Sequence, residues 1–382
     1  MKYLIGTLLC STLLFAQTET LVIDAQDFQA DDKKGISIFT GNVKIKMGQD
    51  KLNANKVDVY FTTDKDNKKV PLKYEATGKA DFEIVTKARL GVKEIAMSRD
   101  VAPIVLFVYN RPYHTKRTIE ALKDNTLAKD SELFIFSDAP KSEAGIDDVL
   151  AVREIIKEVD GFKKVTVVQR DTNWGLANSI VDGVTDIVNR YGKVIVVEDD
   201  MITAKCFLEY MNDSLDKYAD AKNVFSISGF TYEDSDTIES TYFVCTVSAW
   251  GWATWADKWS LFSRDDQMLK KIIEDKSLWD DFNLDGVYDW VELCRLQLDK
   301  KIDSWAIFWY ATIFLHKGLT LFPSKKLSSN IGRDGSGTHC GKTDNDDEPT
   351  CFDYKLTDDL YEKADIRSAV GRQVKNFIDK NK

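Results

Sequence analysis

The stretch Lys193-Val-Ile-Val-Val-Glu-Asp-Asp200 decides the fold of this 382-residue chain. Its four β-branched residues follow one another without polar alternation, which is typical of a strand buried on both faces of a parallel sheet. Three carboxylates come next, at the end of the strand where open α/β sheets bind ligands. Adjacent acids repel one another unless a cation lies among them, and Mg2+ and Mn2+ prefer oxygen ligands. Taken alone, the stretch fits a metal site and a solvent-facing acidic turn equally well.

Strand-like and helix-like patterns alternate through residues 102–382. Apolar runs predict strands at 104–109, 133–136, 165–168, 194–197 and 224–228, and helical spacing predicts helices at 115–128, 145–159 and 176–188. This alternation predicts an α/β fold, with a mostly parallel sheet covered by helices on both faces. The segment from Leu356 onward predicts a further, polar helix.

Charge and cysteines limit the class of protein. The whole chain has a net charge of −10, and its acidic excess lies beyond residue 96, because residues 1–96 are slightly basic. An acidic main body argues against nucleic-acid binding. Cys206, Cys245 and Cys294 lie in apolar surroundings and are predicted to be core thiols. Cys340 and Cys351 lie in a polar tail and could pair only in an exported protein.

The N-terminus is typical of a targeting segment. Lys2 precedes an apolar run at 3–15, and Ala16-Gln-Thr follows as a plausible cleavage site. The run is shorter than the roughly 20 apolar residues that a transmembrane helix needs. Residues 1–17 therefore predict a signal-like segment and a periplasmic location.

Residues 18–87 have a different pattern. Alternating apolar and polar residues predict short strands at 20–24, 35–46, 50–60 and 79–85, with turn residues between them. The pattern stops near Lys87, and residues 88–101 are predicted to be a linker. We therefore expect a small all-β, jelly-roll-like segment before the α/β domain.

Two motifs in that segment carry a resemblance. Phe39-Thr-Gly-Asn-Val43 and Leu52-Asn-Ala-Asn-Lys-Val57 resemble the repeat of the OstA-like periplasmic lipopolysaccharide-transport proteins. Members of that family have a longer β-jelly-roll that cradles acyl chains, and this stretch covers about its first half. The resemblance implies lipopolysaccharide contact; a small β-module without retained activity is the alternative.

Polar residues collect where the predicted parallel strands end. They are Asn110-Arg111, Asp138, Arg170-Asp171-Thr-Asn173 and Glu198-Asp199-Asp200. In this topology the strand ends converge on one crevice, although each residue alone could be a turn or a helix cap. No Gly-rich loop follows the first strand, which argues against a dinucleotide-binding site.

Several motifs between residues 102 and 340 resemble the GT-A glycosyltransferases, especially N-acetylglucosaminyltransferase-I-like and related bacterial sugar transferases. The matching stretches, in order, are Pro103-Ile-Val-Leu-Phe-Val-Tyr-Asn-Arg-Pro112, Ser137-Asp-Ala-Pro140, Asn173-Trp-Gly-Leu-Ala177, Val197-Glu-Asp-Asp200, Ser248-Ala-Trp-Gly-Trp-Ala-Thr-Trp255 and Ser329-Asn-Ile-Gly-Arg-Asp-Gly-Ser-Gly-Thr-His339. The resemblance implies an inverting transfer from a nucleotide-diphosphate sugar, with Mn2+ or Mg2+ as cofactor.

The resemblance also implies roles for the acids. Asp200 would touch the metal, Glu198 and Asp199 would face the ribose and base, and Asp138 would contact the nucleoside. Arg111 could pair with phosphate or the base edge, or with a strand-end acid as a structural ion pair.

Further site residues lie later in the chain. Trp250 and Trp252 flank Gly251 and are predicted to contact sugar, whereas Trp255 and Trp259, spaced as on one helix face, are predicted to be core residues.

The acceptor hydroxyl needs a general base. Asp303, before Trp305, matches the catalytic acid of the related transferases, and Asp289 is the competing candidate; a helix N-cap is the alternative role for Asp303. The resemblance implies that the loop 330–339 closes over the donor, with Arg333 and His339 as polar contacts. His339 could also reach the metal, although a loop histidine is more often simply exposed.

We therefore expect residues 102–382 to form a metal-dependent glycosyltransferase that acts on a glycan or glycolipid acceptor in surface-polysaccharide or lipooligosaccharide synthesis. The alternative is a periplasmic lipopolysaccharide-binding or transport module with an inactive second domain. Location is in conflict, because nucleotide sugars predict the cytoplasmic side or inner-membrane face and the signal-like segment predicts the periplasm.

Overall fold

The computed structural model describes residues 6–8, 21–31, 36–47, 50–63, 69–77, 81–83, 100–232, 241–335 and 348–380. The chain divides into two compact units, Met1–Asp100 and Val101–Lys382. The predicted signal-like segment and linker fall almost wholly outside the described residues, apart from 6–8, 100 and 101. No helix among the described residues is long and apolar enough to cross a membrane.

The described strands of the first unit form one antiparallel sheet. They are β1 (Gly6–Leu8), β2 (Leu21–Asp24), β3 (Asp27–Asp31), β4 (Ile36–Met47), β5 (Asp50–Thr63), β6 (Lys69–Thr77) and β7 (Asp81–Glu83). The order is β1-β2-β4-β5-β6, with β3 also on β4 and β7 also on β5. Alternate residues of β4 and β5, including Val43, Ile45, Val57 and Val59, are buried in a small apolar core. The all-β prediction for this segment is confirmed, and β3 and β6 are additional strands.

The motif Phe39-Thr-Gly-Asn-Val43 forms a β-bulge. The register of β4 against β5 shifts between Thr40 and Val43, where Gly41 and Asn42 have φ angles of 79° and 47°. A Cβ atom on Gly41 would lie 2.4 Å from Oε1 of Gln26. Both the backbone conformation and the close neighbour therefore require glycine at this position.

The second unit is built on an eight-stranded sheet. Its strands are β8 (Ile104–Val108), β9 (Glu132–Ser137), β10 (Lys164–Gln169), β11 (Lys193–Glu198), β13 (Val224–Ser228), β14 (Tyr242–Val244), β15 (Trp252–Trp255) and β16 (Leu319–Phe322), and β12 (Met201–Thr203) pairs separately with β17 (Ser328–Asn330). The order is β10-β9-β8-β11-β15-β13-β16-β14. The first four strands are mutually parallel, while β15 and β14 run antiparallel to their neighbours.

Helices cover both faces of this sheet. They are α1 (Pro112–Lys123), α2 (Ile146–Lys157), α3 (Leu176–Tyr191), α4 (Phe207–Lys217), α5 (Ala256–Trp259), α6 (Asp266–Glu274), α7 (Trp279–Phe282), α8 (Trp290–Leu298), α9 (Trp305–Leu315) and α10 (Ala364–Lys380). Ile195 and Val197 of β11 pack in one cluster with residues of α1, α2 and α4. Val194 and Val196 pack in a second cluster with residues of α3. The unbroken apolar run of β11 is thus explained by burial on both faces, and the predicted α/β class is confirmed.

Two predicted helices have different limits in the structure. α1 begins at Pro112, three residues before the predicted start, because proline fits the first helical position. The C-terminal helix α10 begins only at Ala364. Residues 348–363 instead form an extended strap, which α4 and its following turn hold: Tyr218 Oη donates to the carbonyl of Thr357 at 2.7 Å.

The cysteine prediction was wrong for Cys206. Cys206 forms a disulfide with Cys351, across 145 residues of sequence and with a Cα–Cα distance of 5.7 Å. It lies at the N-terminal end of α4, only partly buried, whereas Cys351 is in the exposed strap. Cys294 is a buried free thiol as predicted, and Cys245 is a partly buried one. Cys340 lies outside the described residues.

Candidate functional site

The candidate site lies where the order in which successive strands join the sheet changes direction. β9 and β10 extend the sheet on one side of β8, and β11 returns to its other side. β8 and β11 are therefore parallel neighbours whose following loops separate, and such a point in an α/β sheet is a binding crevice. The loop after β8 carries Arg111, and Asp199 and Asp200 follow β11.

Arg111 joins the two acids. Its Nη2 atom donates to Oδ1 of Asp199 and, at 2.9 Å, to Oδ2 of Asp200. Burial opposes the positive charge of Arg111, but the two carboxylates outweigh burial and raise its pKa. Burial also raises the pKa of Asp199, against the effect of Arg111. Glu198 has its pKa raised to about 8, first by burial and then by the neighbouring Asp200 and Asp199. The single positive charge of Arg111 thus does not balance the negative charge that the three acids would carry when ionised.

Two oxygens of this acid pair have no hydrogen-bond partner among the described residues. Asp199 and Asp200 are 4% and 6% exposed, and Asp199 Oδ2 and Asp200 Oδ1 are buried without a hydrogen bond. Unpaired buried carboxylate oxygens are unfavourable, and a hard cation would satisfy them. Within the described ranges no group of three or more His, Cys, Asp or Glu side chains could hold a metal alone. The two acids therefore fit an ion of the kind that takes one or two carboxylates and completes its ligands from a phosphate.

Helix α1 fixes the backbone of the acid turn. Thr118 Oγ1 donates to the carbonyl of Asp199 at 2.8 Å and accepts from the N–H of Met201 at 3.1 Å. One turn earlier, buried His114 places Nε2 3.2 Å from Oδ2 of Asp334. The same helix face therefore holds both the acid turn and the glycine-containing segment opposite it.

That segment, residues 331–335, lies directly against the acids. The N–H of Ile331 donates to the carbonyl of Asp200 at 2.8 Å, where β17 continues beyond β12. A Cβ atom on Gly332 would lie 2.3 Å from Oδ2 of Asp200 and 2.7 Å from Nη1 of Arg111. A larger residue here would therefore displace the Asp200 carboxylate or the Arg111 guanidinium. Of the predicted loop contacts, Arg333 is buried and His339 lies outside the described residues.

Asp138 organises the neighbouring strand exit. Its carboxylate accepts from the backbone N–H groups of Trp174 and Gly175, at 2.9 Å and 2.8 Å, and from Asn173 Nδ2 at 3.1 Å. Asn173 also donates to the carbonyl of Ala139 at 2.7 Å. The crevice thus brings Asp138 and Asn173 together as predicted, but here they position a loop. Their contact with a nucleoside stays a prediction, as does that of partly buried Asn110.

The tryptophan predictions need one correction. Trp252 is 1% exposed and stacks on Trp305 with ring centroids 5.1 Å apart, so it belongs to the core and cannot contact sugar. Trp250 is only partly buried and packs edge-on against Phe230, so it remains a candidate. Trp255 and Trp259 are core residues as predicted, but Trp255 ends a strand and does not share a helix face with Trp259.

The two candidate bases have different surroundings. Asp289 caps α8, where its Oδ1 accepts from the N–H of Glu292 at 2.9 Å. Asp303 is exposed and is not a cap, since Ser304 fills that role for α9. Asp303 pairs with Arg264, which also donates to Asn178 at 2.9 Å.

Asn178 links this group to the crevice. It lies in the first turn of α3 and donates to the carbonyl of Trp174 at 2.9 Å. A hydrogen-bonded chain therefore connects Asp303 through Arg264 and Asn178 to the loop that Asp138 holds. Asp289 has no such connection among the hydrogen bonds described above.

Sequence reasoning missed four residues of the site: His114, Thr118, Gly332 as a contact of Asp200, and Asp334. The threonine and histidine have no motif, because their role depends on the angle at which α1 crosses the acid turn. The glycines at 332, 335 and 337 are a sequence signal for a close backbone approach, but they do not indicate that Asp200 is its target.

Comparisons with known proteins concern the two halves separately. Residues 22–92 match the family model of the LptA/(LptD N-terminal domain) LPS transport proteins, which confirms the resemblance of the first segment. A search of curated protein sequences finds no match.

Similar solved structures include glycosyltransferases. The mannosyltransferase PcManGT from Pyrobaculum calidifontis, in complex with GDP-Man and Mn2+, is 12% identical with a TM-score of 0.33, covering 56% of this chain and 69% of that chain. S. aureus TarS is 12% identical with a TM-score of 0.33, covering 61% of this chain but only 37% of that chain. The 4-diphosphocytidyl-2C-methyl-D-erythritol synthase of Anaerococcus prevotii is 11% identical with a TM-score of 0.28, covering 47% of this chain and 78% of that chain. The roles of the crevice residues rest on their own geometry.

Proposed function

We propose that residues 102–382 form an inverting, metal-dependent glycosyltransferase that uses a nucleotide-diphosphate sugar. The observation that carries the proposal is the group formed by Arg111, Asp199 and Asp200 at the direction change of the sheet, beneath the backbone of Gly332. This group combines a guanidinium, which binds phosphate, with two buried carboxylates. Each carboxylate has one oxygen without a hydrogen-bond partner among the described residues. A diphosphate bound together with a divalent cation would satisfy both kinds of group, because its oxygens would accept from the guanidinium and the cation would pair with the carboxylates.

The leaving diphosphate determines what the crevice must do. As the sugar–phosphate bond breaks, negative charge grows on the phosphate oxygens, and catalysis requires its neutralisation. Mn2+ or Mg2+ held by Asp200, with Asp199 beside it, would supply Lewis-acid stabilisation of that charge. Arg111 would donate to the same phosphate group, and residues 331–335 would cover it and exclude water.

Inversion requires a single displacement. The acceptor oxygen bonds to the anomeric carbon on the face opposite the diphosphate, the bond to the diphosphate breaks, and the hydroxyl proton passes to a base. We assign that base to Asp303, because Asp289 is already engaged as a helix cap. Since Arg264 holds one Asp303 oxygen, the other oxygen would take the proton. Partly buried Trp250 would pack against a sugar ring.

A donor screen with the full chain tests this function. Purified protein is incubated with UDP-, GDP- and dTDP-sugars, with Mn2+, with Mg2+ or with EDTA, and release of the nucleoside diphosphate is measured. We expect metal-dependent release from one donor class, through slow hydrolysis or transfer to an added glycan or glycolipid. Absence of both binding and release for every donor would refute the proposal.

The family match of residues 22–92 favours a second activity. We propose that this segment contacts lipopolysaccharide or a lipooligosaccharide precursor, so that the acceptor belongs to surface-polysaccharide synthesis. The competing proposal is a periplasmic lipopolysaccharide-binding module whose second unit is inactive. Nucleotide-sugar binding by the full chain separates the two. Fractionation of cells would decide between the cytoplasmic side of the inner membrane and the periplasm.

A further inference from the structure

Arg111 occupies the place that a metal ion would share with the acids. Its guanidinium contacts one oxygen of Asp199 and one of Asp200, and the same guanidinium lies under Gly332. The other oxygen of each acid is buried, and no hydrogen bond reaches it from the part of the chain that the structure describes. Arg111 therefore neutralises only part of the negative charge of the acid pair. A metal cation bound at the same place would neutralise the rest.

This arrangement makes a metal ion alone a poor ligand. An ion approaching the two acids meets a fixed positive charge that already takes half of their oxygens, and two cations this close repel each other strongly in a buried site. A diphosphate changes the balance, because its oxygens attract a guanidinium in a forked hydrogen bond. Once the guanidinium contacts phosphate, the carboxylate oxygens it held become available.

We propose that Arg111 is an internal counter-cation that keeps Mn2+ or Mg2+ off Asp199 and Asp200 until a diphosphate binds. Metal and nucleotide then bind cooperatively, and each raises the affinity for the other by the same factor. The inference rests on the proposed function for its choice of ligand, but it concerns binding alone and needs no turnover.

The first experiment measures Mn2+ binding to the full chain by calorimetry and by the electron paramagnetic resonance signal of free Mn2+. Titrations are run with Mn2+ alone and with saturating UDP or GDP, after correction for Mn2+ bound by free nucleotide. We expect weak binding of Mn2+ alone and binding tighter by about 5–150-fold with one diphosphate, the usual range for coupled sites. Equally tight binding with and without nucleotide would overturn the inference.

The second experiment removes the guanidinium. Arg111→Met leaves two buried acids without a counter-charge, so we expect a lower unfolding midpoint, which Mn2+ alone restores by taking the empty place. Wild-type protein should show little shift with Mn2+ alone. Arg111→Lys keeps a single positive charge without the fork, and it should be intermediate in stability and in Mn2+ binding.

A matched control is present in the chain. Arg367 also joins neighbouring acids, far from the crevice in sequence: its Nε lies 3.2 Å from Asp285, its Nη1 2.9 Å from Glu362 Oε2 and its Nη2 3.4 Å from Asp281 Oδ1. Arg367→Met should also lower the unfolding midpoint, but Mn2+ should not restore it. If Mn2+ stabilises both variants alike, or neither, Arg111 is not a counter-cation for a metal site.

Failure of this inference differs from failure of the proposed function. Turnover that persists in EDTA, with no Mn2+ binding by wild type or Arg111→Met, would refute the counter-cation and the metal dependence, and leave a metal-independent transferase. Conversely, Mn2+ binding that follows the expected pattern with UDP or GDP, while no donor sugar is bound or turned over, would leave Arg111 its role and refute the transferase.

Discussion

Gly332 lies so close to Asp200 that a Cβ atom on it would come within 2.3 Å of the carboxylate oxygen Oδ2. The same atom would come within 2.7 Å of Nη1 of Arg111. The backbone at Gly332 therefore lies directly against the side chains of Asp200 and Arg111, and an added methyl group would force one of them to move.

Gly332→Ala should reduce donor turnover by about tenfold or more, because displacement of catalytic groups by about an ångström can cost about 100-fold. The measurement is nucleoside diphosphate release at saturating Mn2+, with the unfolding midpoint followed in parallel. The control is Gly145→Ala, whose new Cβ would lie 3.8 Å from Tyr109 Oη, an ordinary contact. Equal activity of the two variants would contradict the close fit.

Asp303→Asn should retain donor binding and lose about 10²–10⁴-fold in transfer, the usual contribution of a general base. Asp289→Asn should retain both, since asparagine caps a helix about as well as aspartate. Transfer rates and donor dissociation constants of the two variants are compared. If Asp289→Asn loses transfer and Asp303→Asn does not, the base is Asp289.

The disulfide between Cys206 and Cys351 should stabilise the second unit by about 2–4 kcal/mol under oxidising conditions. Cys351→Ser should lose this free energy of unfolding, as should wild type treated with a reductant, while the reductant should leave the variant unchanged. Denaturant unfolding with and without dithiothreitol measures both. A reductant effect as large in Cys351→Ser as in wild type would show that another bond is responsible.

The two units should unfold independently. A truncated protein of residues 97–382 keeps Ala102, which is fully buried and whose N–H donates to Asn212 Oδ1 at 2.8 Å. We expect it to be soluble, to bind the same donor and to unfold at the midpoint that the second unit has in the full chain. Aggregation or a clearly lower midpoint would show that residues before 97 belong to the structure of the transferase.

The fold was predictable where local pattern and burial agree. The apolar run at 194–197 becomes β11 because both of its faces are covered, and Pro112 starts α1 by its fixed φ angle. The sequence also indicated the crevice, since parallel strands bring their ends together. Of the two roles considered for Arg111, the structure shows the structural ion pair, with Asp199 and Asp200 as its partners.

The remainder depends on contacts that no local pattern encodes. Trp252 was predicted to contact sugar because it flanks a glycine, but β15 inserts between β11 and β13 and buries it. The pairing of Cys206 with Cys351 joins distant segments through a strap that no periodicity predicts. Likewise, the approach of Asp334 to His114 follows from the path of one loop over α1.

Turnover by Asp200→Ala tests the central claim most directly. Asp200 is the acid that contacts Arg111, approaches Gly332 and has a buried oxygen without a partner. The full-length variant is compared with wild type for nucleoside diphosphate release at saturating Mn2+ and donor, with circular dichroism and the unfolding midpoint confirming that it is folded. We predict that metal-dependent release disappears while the fold is retained. Unchanged, Mn2+-stimulated release by a folded Asp200→Ala protein would contradict the account.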